Sequence, residues 1–223
     1  VIKNLVPKRV LPKKDRESRI ESNLYASPNF GVYIYKFNDY KAFIRCGSVG
    51  QNGKGGHAHN DQLSFVLFID GKEVITDPGT YVYTPFPELR NKFRSSEMHN
   101  TLAIEGLEQC RYYDIAKDDL FWLNDKSTGQ KVLKTGTDYF EGKHSGYGKD
   151  HIRKMKFSDN SIHITDTCKL KRGKNIFLHF SPYIHDIEKV DEKNMKINID
   201  KNTLLISSET GEISIEDYEY SPT

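Results

Sequence analysis

Apolar and polar positions along this chain fall into short alternating runs, set off by turn residues and with almost no sustained helical period. Gly31-Val32-Tyr33-Ile34-Tyr35-Lys36-Phe37 is β-branched and aromatic. Asn38-Asp39 supplies a turn, and Tyr40-Lys41-Ala42-Phe43-Ile44-Arg45-Cys46 resumes the pattern, which predicts a hairpin. Leu63 to Ile69, Asp70-Gly71 and Glu73 to Thr76 give the clearest hairpin signal in the chain. Asn100 to Ile104 and Leu120 to Leu123 are further strands. Ile152 to Phe157 and Ile162 to Leu170 flank the turn Ser158-Asp159-Asn160. Asn175 to Phe180, then Met195 to Ile199 and Leu204 to Ser207 around Asp200-Lys201-Asn202, continue the series, and Ile213-Ser214-Ile215 is a last candidate. Pro78, Pro85 and Pro87 interrupt the middle, where Glu88 to Phe93 predicts a short helical turn. Strands at this spacing predict an all-β fold, a large antiparallel β-sandwich over residues 30–223. Residues 1–29 carry Pro7, Pro12 and Pro28 among many charges and are expected to be a linker or extended arm, with a short strand near Leu24-Tyr25.

Size and composition narrow the function classes. At 223 residues the chain can bury a substantial core. Its 33 basic and 31 acidic residues nearly cancel, which argues against a general nucleic-acid binder. The basic pairs Lys8-Arg9 and Lys13-Lys14 and the run Lys169-Leu170-Lys171-Arg172 read as solvated loops and strand ends. Cys46, Cys110 and Cys168 are too far apart for a metal motif or a disulfide framework. No apolar run approaches the roughly 20 residues of a membrane span. The opening Val1-Ile2-Lys3-Asn4 is not a signal peptide, and without an initiating Met the chain is expected to be part of something longer.

The chemistry concentrates behind a glycine-rich loop, Gly47 to Gly56. His57 and His59 are two residues apart, so in an extended chain they point the same way. Imidazole and carboxylate are ordinary zinc ligands, and the available partners are Asp77 and His99. The hairpin register decides whether Asp77 can reach them. With a two-residue turn at Asp70-Gly71, Ile69 faces Lys72 and Asp77 points away. With a glycine bulge, odd positions face odd and Asp77 shares the histidines' side. The alternative is purely structural: His57 and His59 bond to loop carbonyls, and Asp77 caps the Pro78-Gly79 turn. Tyr81 and Tyr83 divide between packing and chemistry in the same way. Arg90 and Arg94, four apart, share a helical face. There they either grip a carboxylate or sulfate or make structural ion pairs.

The run Gly56-His57-Ala58-His59-Asn60-Asp61-Gln62-Leu63-Ser64-Phe65, then Asp77-Pro78-Gly79-Thr80-Tyr81-Val82-Tyr83, Phe93-Arg94-Ser95-Ser96 and His99-Asn100-Thr101-Leu102 resembles the signature of the heparinase II/III-like polysaccharide lyases. The likeness is densest over about residues 45–106. A weaker echo runs through Gly146-Tyr147, His151-Ile152-Arg153 and His179-Phe180-Ser181-Pro182. The resemblance implies a C-terminal β-sandwich. In the whole protein it would be joined to an N-terminal helical toroid, which supplies further catalytic groups, and the isolated chain would be inactive. It implies cleavage of an acidic, uronate-containing polysaccharide by β-elimination, in a periplasmic or secreted parent protein. It also splits the histidine pair. His57 goes to the active-site cleft, while His59, Asp77 and His99 hold a structural divalent metal, most often zinc. Tyr83, with Tyr81 second, is the cleft tyrosine. Asn60, Arg90 and Arg94 are the candidate substrate contacts. The competing expectation is a non-catalytic carbohydrate-binding or surface-interaction sandwich, which would not need those histidines together.

Overall fold

The computed structural model describes residues 2–3, 23–50, 55–82, 86–112, 122–123 and 128–217. Two large antiparallel sheets face each other. The five-stranded sheet runs in chain order through β2 (Leu24–Ser27), β3 (Val32–Lys36), β4 (Tyr40–Arg45), β5 (Phe65–Ile69) and β6 (Lys72–Ile75). The second sheet holds eight strands. These are β1 (Ile2–Lys3), β8 (Lys131–Gly136), β9 (Tyr139–His144), β10 (His151–Ser158), β11 (Ser161–Cys168), β13 (Ile187–Lys189), β14 (Asn194–Ile199) and β15 (Asn202–Ser208). Their spatial order is β13-β14-β15-β1-β11-β10-β9-β8. A small ladder of β7 (Leu102–Ile104) with β12 (Lys174–Ile176) stands apart. The expected all-β antiparallel architecture is the one observed, and no helix among the described residues is long and apolar enough to cross a membrane.

The segment expected as a linker contributes to both sheets. Ile2–Lys3 pairs with β11 and β15, and Leu24–Ser27 pairs with β3, so the sandwich takes strands from before residue 30. Ladder hydrogen bonds, which composition does not reveal, hold both pieces.

Alternation places the core. In β4 and β5 every second side chain is buried, and Tyr35, Ala42, Leu67 and Ile69 meet Phe140, Met155, Ile164 and Leu204 across the sandwich. Tyr35 stacks on Phe157 with ring centroids 4.1 Å apart, and its hydroxyl reaches across to donate to the Tyr139 carbonyl at 2.7 Å. A buried tyrosine needs such a partner for its polar tip. The Tyr40 hydroxyl does the same at the Ser158 carbonyl.

The register question at the central hairpin has a mixed answer. Asp70 (φ 49°) and Gly71 (φ 82°) make a two-residue turn, and Ile69 faces Lys72. The bulge lies further on. Phe68 faces Glu73 but Leu67 faces Ile75, leaving Val74 as the extra residue, and Val74 and Ile75 are both buried. Beyond that point odd faces odd, which is the parity that turns Asp77 toward the histidines.

Pro87 stands at the start of α1 (Pro87–Phe93), where its missing N–H costs nothing. One turn of 3₁₀-helix, Ser96–Met98, follows and ends at His99. Ile213 to Ile215 carries no ladder. The Ile213 amide donates to the Glu192 carbonyl, and among the described residues no strand lies alongside.

Candidate functional site

The site gathers at the end of the five-stranded sheet where the chain enters β5. Gly55 opens it in the left-handed region (φ 79°), and a Cβ there would meet the Leu123 carbonyl oxygen at 2.7 Å, so only glycine fits. The Ala58 amide closes a turn onto the Gly55 carbonyl at 3.3 Å. His57 sits within this turn at φ 56° with an exposed side chain. Residues other than glycine and asparagine seldom adopt this backbone. The strain is of order 1–3 kcal/mol, it must be held by the surroundings, and it concentrates at functional sites. Tyr81 shares the feature at φ 62°. It is 37% exposed and stacks on Phe93, with ring centroids 4.6 Å apart. Tyr83, expected first for the cleft, lies outside the described residues, as do residues 51–54 of the glycine-rich loop and half of the strand expected at Leu120 to Leu123.

Asp77 and His99 meet. His99 Nδ1 donates to Asp77 Oδ2 at 2.8 Å, and the other carboxylate oxygen accepts the Gly79 amide at 2.9 Å. Asp77 therefore caps the Pro78-Gly79 turn and also orients a histidine. Burial alone would raise the Asp77 carboxyl, but the charge and hydrogen bond of His99 and the Gly79 amide outweigh it and hold it below the usual carboxylate range. Burial alone would lower His99, yet Asp77 raises it. The His59 ring lies beside that of His99, with centroids 5.2 Å apart and planes tilted by 46°. Burial, followed by the neighbouring His99, pushes His59 below its ordinary value.

These three residues fit zinc in kind, with two imidazoles and a carboxylate. Among the described residues, one buried nitrogen of this set, His99 Nε2, has no hydrogen-bond partner. A buried polar atom of this kind is costly unless something satisfies it. As placed, no group of three or more His, Cys, Asp and Glu side chains among the described residues is arranged to hold a metal ion.

The other expected residues take structural positions. Asn60 is buried. Its Nδ2 donates to Glu108 Oε2 (2.9 Å) and the Cys110 carbonyl (3.1 Å), its Oδ1 accepts the Cys110 amide (2.7 Å), and its own amide bonds the Arg94 carbonyl. It pins the histidine turn to the 108–112 segment. Arg94 caps the end of α1. Its Nε and Nη2 fork onto Asn91 Oδ1 at 3.1 and 2.7 Å, and its guanidinium lies 5.0 Å from the centre of the Tyr112 ring. Burial, then the neighbouring Arg90, pushes Arg94 down to about 10. Arg90 is buried on the same helix.

Several polar residues beneath the site were given no role in the sequence reading. Asn100 Nδ2 donates to the carbonyls of Phe65 (2.9 Å) and Thr76 (2.7 Å), and its Oδ1 accepts the His179 amide (2.7 Å). One amide thus ties together the segments bearing His59, Asp77 and His99. Gln62 exchanges two hydrogen bonds with Gly47, and Thr101 bonds the Gln62 carbonyl. Arg153, Asp166, His151 and His144 form a second buried cluster. Their signal was present as polar residues at inward positions: in β10, His151 and Arg153 share the buried face with Met155 and Phe157.

Two of the buried histidines give a pH expectation. Burial pushes His179 down to about 4, and burial with the neighbouring His151 holds His144 well below the usual range. Their folded values lie below the unfolded one of about 6.5, so the unfolded chain binds more protons in mild acid. This stability is complete above pH 6.5 and is lost as pH falls toward 4. These two groups should therefore remove stability between pH 7 and pH 5 in urea unfolding, about 2 kcal/mol of it at His179, and a His179→Gln variant whose stability falls as steeply over that range would contradict it.

Two facing antiparallel sheets with a histidine turn at one edge make this chain a β-sandwich. The family described as heparinase II/III-like, C-terminal, matches residues 20–223, and the chain belongs to that family of polysaccharide lyases. Solved structures agree on the fold. A heparinase III gene product superposes with a TM-score of 0.63 at 17% identity over 82% of this chain and 28% of its own. Another heparinase III gives 0.60 at 15% identity, over 82% of this chain and 29% of its own. A heparan sulfate lyase from Pedobacter heparinus gives 0.55 at 15% identity over 90% of this chain and 36% of its own. The chain thus spans about a third or less of the length of these proteins. No curated protein matches it in sequence.

Proposed function

We propose that this chain is the C-terminal sandwich of a lyase that cleaves a uronate-containing acidic polysaccharide by β-elimination, completed by an N-terminal helical toroid in a periplasmic or secreted protein. The observation that carries this reading is the pair of strained residues. His57 and Tyr81 are held in left-handed backbone, two residues before His59 and four after Asp77 in sequence, within a chain of the heparinase II/III-like family.

The reaction removes the proton beside a uronate carboxylate and expels the 4-linked oxygen. It needs a base, an acid for the leaving group, and a donor that neutralises the carboxylate. His57 is exposed, uses no metal in this reading, and has a ring able to accept or donate a proton. Tyr81 or Tyr83 supplies a phenol for the other transfer. Asn60 and Arg94 act from behind by fixing the His57 turn through the Asn60 amide and the Arg94 carbonyl. The closest basis for a direct test is the full-length protein on a panel of uronate polysaccharides, read by the ultraviolet absorbance of unsaturated products. We expect product from the full-length protein and little or none from residues 1–223 alone. Product absent from the first, or abundant from the second, would refute the corresponding half of the proposal.

His59, Asp77 and His99 would hold a zinc ion, and the orphaned His99 Nε2 supports this. When bound, the metal would brace the three segments and add fixed positive charge near the cleft. Stripping it from the full-length protein with a chelator should release about one zinc per chain. A brace worth 1–2 kcal/mol would lower Tm by about 2–8 °C in a domain of this size. No zinc by elemental analysis and an unchanged Tm would rule the brace out.

A further inference from the structure

Beneath the candidate site the eight-stranded sheet carries a cluster that an apolar core does not need. Arg153 on β10 is fully buried. Its Nε and Nη2 fork onto the two Asp166 oxygens at 2.8 and 2.9 Å. That leaves Nη1, which donates to the carbonyls of Leu63 and Asn100, both at 2.7 Å. Leu63 is itself in the left-handed region, at φ 62°, in the Asp61–Ser64 turn that follows the His57 turn. Asn100 adjoins His99, and its side chain holds the carbonyl of Thr76, the neighbour of Asp77. One guanidinium therefore bridges the two backbone segments that present the candidate residues, and Asn100 extends its reach to the third.

The cluster continues across β10 and β9. His151 Nε2 lies 2.6 Å from Asp166 Oδ1, and His151 Nδ1 lies 3.0 Å from His144 Nε2. His144 Nδ1 accepts the Gly146 amide at 3.2 Å. That last bond fixes the others. A nitrogen that accepts an amide proton carries none of its own, so the His144 proton is on Nε2 and donates to His151 Nδ1. The His151 proton is then on Nε2 and donates to Asp166. The chain of donors ends on the carboxylate and fixes the orientation in which it grips Arg153. Buried ion pairs seldom beat apolar residues of similar volume for stability, so the cost of this one calls for another use.

We propose that Arg153, oriented by Asp166 and the two imidazoles, is a positioning residue for the candidate site: it sets the Leu63 and Asn100 carbonyls and thereby the placement of the His57 turn and of His99. The proposal rests on the lyase reading for its catalytic consequence but not for its structural one. Arg153 touches no surface that a polysaccharide could reach, so its effect falls on turnover rather than on binding.

The test uses the full-length protein with Arg153→Lys, Asp166→Asn and, as a control on the outward face of the same strand, Lys154→Ala. Arg153→Lys keeps the charge but loses the fork, so it remains informative if Asp166→Asn fails to fold. The readouts are kcat and KM on a uronate polysaccharide, together with the NMR resonance of the His99 Nδ1 proton. Partners of this kind typically change activity by 10–100-fold. Arg153→Lys should lower kcat by about that factor, leave KM within about 2-fold and move the His99 resonance, while Lys154→Ala changes none of these. A kcat within about 2-fold of the parent with an unmoved resonance overturns the proposal. If the parent cleaves no uronate polysaccharide, the lyase reading fails separately. The His99 resonance then decides: moved in Arg153→Lys supports positioning, and unmoved overturns it.

Discussion

Replacing His57 with alanine in the full-length protein should cut turnover of a uronate polysaccharide by roughly 10²–10⁴-fold, the usual contribution of a positioned acid or base, while substrate binding changes only a few-fold. The expectation follows from where the residue stands. His57 is exposed and in backbone that an alanine also finds strained, so the substitution removes the ring without relieving the turn. The fold should be little affected, because the turn is held by the Ala58–Gly55 backbone bond and by Asn60 rather than by a buried imidazole. Separate measurements of kcat and binding distinguish two classes of protein. A lyase loses turnover and keeps binding. A non-catalytic carbohydrate-binding sandwich keeps its function nearly intact, and that outcome would refute the lyase reading.

The largest expected loss of stability lies elsewhere. Asp166→Ala should destabilise the protein by about 3–5 kcal/mol, because removing one partner strands a buried charge. Burial alone would raise the Asp166 carboxyl, but the Arg153 guanidinium, with His151, holds it far below the usual carboxylate range. Its stabilising contribution is therefore complete above about pH 4 and disappears only as pH falls through its depressed folded value. The substitution should accordingly cost the same at pH 5 and pH 8. The exposed Lys143–Asp150 pair, bonded at 2.8 Å, is the comparison. Breaking it should have little measurable effect, since solvent screens the charges and water replaces the partner. Urea unfolding of both variants at the two pH values checks this. An Asp166→Ala loss no larger than that of the surface pair would mean that the buried network contributes nothing.

The strand pattern was legible where a strand has one buried face and a tight turn. The β3–β4, β5–β6, β10–β11 and β14–β15 hairpins all fall on alternating runs around Asn, Asp or Gly. It failed at β8 and β9. β8 is an edge strand with mostly exposed positions, so nothing required its apolar residues to alternate cleanly. It failed in the opposite sense at Ile213 to Ile215, where an apolar run exists but the ladder does not. At the site, the family resemblance named His57, His59, Asp77 and His99 together; spacing left His99 unplaced, and the structure sets it against Asp77. The engagement of Asn60 and Arg94 in the scaffold was not visible, because a side chain's partners depend on segments such as 108–112 whose distance along the chain gives no hint of contact.

The sequence by itself determined the fold class, the main hairpins and the group of residues worth examining. Alternation, turn chemistry and the identity of metal- and proton-binding side chains are local properties. Only the tertiary structure decided that the bulge falls at Val74 rather than at Gly71, that Asp77 both caps a turn and orients His99, and that Arg153 lies beneath the site. These outcomes depend on which backbone carbonyls and buried charges are brought together across the sandwich, where the requirement to satisfy every buried polar group selects partners tens of residues apart.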